Sequence, residues 1–100
     1  MSIEEIIAIS EAMYQNREQE TFEWMRKNLG QLKDELLRIA SDTEQFPEIP
    51  TKEIQQLVVV ILQRLISAYQ RQQMLELADC MRYEVMQIIE LDREMKHGNL

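Results

Sequence analysis

Both prolines of this chain, Pro47 and Pro50, fall inside the single stretch Ser41–Pro50. Proline removes a backbone donor and clashes with the preceding turn, so helix interiors exclude it. Segments 1–46 and 51–100 hold no proline, and each holds one glycine, Gly30 and Gly98. That distribution predicts two long helical halves joined by one loop. Within the first half, Ile3, Ile6, Ile7, Ser10, Met13 and Tyr14 recur at helical spacing. The stripe lapses over the polar run Gln15–Thr21 and resumes as Phe22, Met25, Leu29, Leu32, Leu36 and Ile39, alternating three and four apart. In the second half one stripe runs from Ile54 to Tyr69. The patch Gln70-Arg71-Gln72-Gln73 interrupts it, and Met74, Leu77, Ala78, Met81, Val85, Ile88 and Ile89 follow. Such periodicity is the signature of amphipathic helices.

The expected elements are helices over about 3–15, 18–41, 51–70 and 73–97, with a loop over 42–50. Ser2 and Glu5 form a capping box ahead of helix 1. Thr51 is a candidate N-cap for helix 3, and Gly98 a left-handed terminator for helix 4. The patch at 70–73 has no Gly, Pro, Asn or Asp, so a single bent helix through residue 70 competes with two antiparallel ones. Tyr14-Gln15 and Tyr69-Gln70 close their stripes 55 residues apart, and Phe22 matches Leu77 at the same offset. The halves therefore read either as a duplication or as two unrelated hairpins. The expected fold is all-α: an antiparallel four-helix bundle made of two helical hairpins, in a single domain over 1–100.

Composition narrows the function classes. One hundred residues with 45% hydrophobic side chains can enclose a core without disulfides or metal. The longest apolar run, Leu57–Leu62, is far too short to span a bilayer. Met1-Ser2-Ile3-Glu4-Glu5 lacks the basic start of a secretory signal, and one cysteine makes no internal bridge. A reducing, cytoplasmic location is the expectation. A net charge of −7 disfavours nucleic acid and anionic membranes as partners. Residues 1–50 carry 5 basic and 11 acidic groups against 6 and 7 in residues 51–100, so helices 1 and 2 should present an acidic face.

Catalysis needs convergent groups, and the stripes direct almost none inward; Ser10 is nearly the only polar member of the inward face. Glu94-x-x-His97 has the spacing of one half of a di-iron site, but the chain has no second histidine. Cys80 is flanked on its helix face by Glu76 and Glu84, which would raise its pKa and leave it an inert thiol. The expectation is no enzyme, no cofactor and no metal. The alternative from another class is a small-ligand or metal-binding bundle with a methionine-lined cavity.

A surplus of apolar surface is the stronger signal. The apolar residues of helix 3 cover an arc of about 200°, twice what one side of a small bundle needs, and Val60 falls outside even that arc. Either helix 3 is the most buried of four, with the loop across its back, or its surplus face meets another chain. We expect the second, through Val59, Val60 and Ile66. Trp24 and Tyr83 also sit off their stripes, and each reads as a binding anchor or as cover for a neighbouring element. The expected partner is a second copy or another helical protein.

Two resemblances add to this. Leu77-Ala78-Asp79-x-x-x-Tyr83-Glu84, preceded by a helix ending Ala68-Tyr69-Gln70, resembles a motif of small uncharacterised all-helical proteins of Firmicutes. The likeness covers about 20 residues and departs from the pattern at Gln73, where an acidic capping residue would stand. It implies a fold and no activity. In size, acidity and layout the chain is also similar to flagellar export chaperones, with a loose likeness over Glu20–Leu29. Neither carries functional residues across.

Overall fold

The computed structural model describes residues 1–42 and 49–98, with side chains through residue 95. Among the described residues the chain is all-α, with four helices and no strand. Helix α1 spans Ile3–Tyr14, α2 Glu18–Ser41 and α3 Thr51–Gln70. Met74–Asp79, Cys80–Val85 and Met86–Gly98 follow one another without a break and together form α4. The expected break between the third and fourth helices is therefore present. Most of the expected loop, residues 43–48, lies outside the described residues.

Each boundary has a local cause. The Ser2 hydroxyl accepts the Glu5 N–H at 3.1 Å, the cap that its sequence position indicates. At α3, however, Thr51 is the first helical residue and Pro50 holds the N-cap position without a side-chain bond. Proline at the edge loses nothing, because the first N–H groups of a helix have no intrahelical partner. At the other end, α4 runs through Gly98 rather than stopping before it, so that glycine is not the left-handed terminator expected.

The two inter-helix turns are the same structure. In the first, Asn16 N–H donates to Met13 O and Arg17 N–H to Ala12 O; in the second, Gln72 N–H donates to Tyr69 O and Gln73 N–H to Ala68 O. Both are Schellman closures with one residue in the left-handed region, Asn16 and Gln72, each at φ 56°. Corresponding bonds lie 56 residues apart, so the register of the repeat is 56 and not the 55 suggested by the tyrosines. On that register Ile6 pairs with Leu62, Ile9 with Leu65, Ala12 with Ala68 and Met25 with Met81, and all eight are buried.

The helices enclose one cluster, to which α1 contributes Ile6 and Met13, α2 Met25 and Leu36, α3 Val58 and Leu65, and α4 Leu77 and Val85. Helix α1 packs against α2 and α4, and α3 packs against the same two neighbours. Inside α4, Cys80–Val85 adopts π geometry, with the Met86 N–H donating to Met81 O. The inward residues Leu77, Met81, Val85 and Ile89 are spaced by four. At 100° per residue they would drift about 120° round an ideal helix over three such steps. The wider π turn takes up that drift and keeps all four in the core.

The inward face is also more polar than expected. Thr21 and Asp92 join Ser10 among the buried residues. Ser10 donates to Ile7 O at 2.7 Å. Asp92 accepts from Arg38 of α2 at 3.1 Å, which ties α4 to α2 across the core edge. A second cross-helix ion pair joins Arg64 of α3 to Glu84 of α4.

Candidate interaction surface

Helix α3 turns Val58, Ile61, Leu62 and Leu65 inward. Val59 and Val60 follow Val58 directly, so they stand about 100° and 200° round the helix from it. No single core can take all three, and Val59 and Val60 are left 46% and 47% exposed. Lys52, Gln55 and Gln56 line a shallow open groove with them. Ile66, two turns beyond Val59, is half-buried. Leu57 is also exposed but lies on the other flank, beside Ile39, Ile54, Ile88 and Leu91.

The other two residues singled out by sequence lie apart from this face. Trp24 is half-buried on α2 and packs against the core cluster. Tyr83 is 62% exposed on α4 and belongs to a different group. There the Tyr14 hydroxyl of α1 donates to Asp79 Oδ1 of α4 at 2.6 Å. That bond, with burial, the Asp79 charge and nearby Tyr83, pushes the Tyr14 pKa up to about 12. Sequence reasoning missed this pairing, because nothing in either helix alone signals that Tyr14 and Asp79 meet.

Cys80 is buried, with Sγ 3.8 Å from Ile61 O and 3.6 Å from Glu84 Oε2. Burial pushes its thiol up to about 11, Arg64 opposes the shift and Glu76 adds to it. Glu84, expected to act with Glu76, is instead paired with Arg64. A thiol held protonated is a poor nucleophile. Glu94 is exposed, and the His97 side chain lies outside the described residues. Among the described residues no group of three or more His, Cys, Asp or Glu could hold a metal ion. Of the methionines, Met13, Met25, Met74 and Met81 are buried in the core cluster. No described helix is long and apolar enough to cross a membrane.

Comparison with protein-family models, curated proteins and solved structures gives no match to this chain. The outer face of α3 is thus the feature on which a functional reading has to stand.

Proposed function

We propose that this protein is a non-catalytic interaction module of the cytoplasm, self-associating or chaperone- or adaptor-like, that docks through the outer face of α3. Its scaffold is an antiparallel four-helix bundle of two hairpins, a reading supported by the two matched turns and by the way α1 and α3 each pack between α2 and α4. One observation carries the functional reading. On the 56-residue register Val60 corresponds to Glu4, and both are exposed. The first hairpin therefore holds the same helix-turn-helix geometry with a carboxylate at the position where the second has an apolar side chain. Nothing in the scaffold requires a valine there, whereas a docking surface does, because an exposed apolar patch lowers its free energy by association.

A photo-crosslinking residue placed at position 60, and separately at position 4, tests this in the host cell. Protein adducts should form from position 60 and not from position 4. Equal labelling from both positions, or none from position 60, would overturn the proposal.

A further inference from the structure

The outer face of α3 has an order of its own beyond its two valines. Lys52, Gln56, Val59, Gln63, Ile66 and Gln70 recur at intervals of four, three, four, three and four. All are exposed except Ile66, which is half-buried. This is the spacing by which one helix presents a seam to another. The inward stripe of the same helix, Ile54, Val58, Ile61, Leu65 and Ala68, keeps the same rhythm and is already buried against α2 and α4. At 100° per residue the two seams lie about 160° apart. Helix α3 is thus built with a seam on each side, and among the described residues only one of them has a partner.

Charge indicates what covers the second. The chain carries 18 acidic groups and a net charge of −7, so two copies repel over most of their surfaces. The outer seam holds no carboxylate, and its only formal charge is Lys52 at one end. Glutamine amides both donate and accept, so Gln56 and Gln63 can pair with their own kind without a dedicated partner. We propose that this seam is self-complementary and is covered by the α3 helix of a second copy. The two helices run antiparallel about a two-fold axis near Val59. Antiparallel pairing sets the two Lys52 residues about 21 Å apart along the seam at 1.5 Å per residue, well beyond a Debye length of about 8 Å. Parallel pairing would place them side by side. This inference rests on the proposal that the α3 face is a docking surface, and it names the occupant.

Sedimentation equilibrium of the full chain, from about 10 to 500 µM, tests it. The native protein should dimerise. Val59→Lys should raise the dissociation constant about a hundredfold, a factor of ten for each of the two valines at the axis. Gln63→Glu, which changes only an exposed polar side chain, should also weaken the dimer, and it serves if Val59→Lys loses helicity. Orientation is read by disulfide formation in a Cys80→Ser background: Val59→Cys should oxidise to a covalent dimer and Lys52→Cys should not. Efficient bridging by Lys52→Cys would overturn the antiparallel arrangement. A dimer indifferent to both seam substitutions would overturn the seam. A native chain that stays monomeric at about 500 µM overturns the second copy as occupant. In that case adducts to a different protein from position 60 would still uphold the docking surface, so the two failures are distinguishable.

Discussion

Replacing Gln72 with glycine should stabilise the protein, and the size of the gain follows from one dihedral angle. Gln72 closes the turn between α3 and α4 at φ 56° and is exposed. Its amide makes the closing bond to Tyr69 O, and that bond uses only backbone. An L side chain in the left-handed region costs about 1–2 kcal/mol, because Cβ crowds the following carbonyl. Glycine escapes that cost but loses about 0.5–1 kcal/mol more chain entropy on folding. The net gain is about 0.5–1 kcal/mol, which in a domain of this size raises Tm by about 2–8 °C. The matched turn supplies the control. Asn16 has the same φ, but asparagine tolerates this region, so Asn16→Gly should gain less. Gln72→Ala keeps the crowded Cβ and should gain nothing. Thermal and urea unfolding followed by far-UV circular dichroism will rank the three variants. The reasoning fails if Gln72→Gly is no more stable than the parent, or if Gln72→Ala matches it.

Two further outcomes are expected. Gly30 is exposed within α2, and a Cβ there would meet nothing within 4 Å; Gly30→Ala should therefore raise stability by about 0.5–1 kcal/mol, and a loss in urea unfolding would contradict the open space described. The Cys80 thiol is raised from 9.0 to about 11 in the fold, so its contribution to stability is complete below pH 9 and is lost as the pH climbs through 11. The parent should lose stability across that window faster than Cys80→Ser, and parallel curves would contradict a buried protonated thiol.

Particular residues show where the sequence was legible. Proline placement and the lapses at Gln15–Thr21 and Gln70–Gln73 mark the helix boundaries, because a run without apolar residues cannot continue a buried stripe. The turn chemistry was hidden, since both left-handed positions are filled by side chains rather than by glycine. The repeat was visible but one residue out of register: the tyrosines caught the eye, whereas the backbone bonds align Ala12 with Ala68. Asp92 reads as a surface acid on its own helix, and nothing in that helix signals the ion pair with Arg38, reaching from α2, that supports its burial. The exposure of Val59 and Val60 was legible for a geometric reason, because three successive β-branched residues cannot all face one core. The position of Trp24 was not, because half-burial depends on which neighbour happens to pass over it.

The π segment of α4 bears on how this chain can change length. A turn closed by i→i−5 bonds holds one residue more than an α-helical turn. Here the surplus lies between Leu77 on one side and Ile88 and Ile89 on the other, all buried, so it cannot work its way out to a helix end. Removing one residue from Cys80–Val85 would return the segment to plain α-helix and leave both flanking registers in the core. The same deletion in the middle of α3 would turn every later side chain of that helix by about 100° and empty its core face. A one-residue gap in an alignment of this chain with a homologue is therefore to be sought inside its last helix, the place where insertions and deletions are ordinarily ruled out.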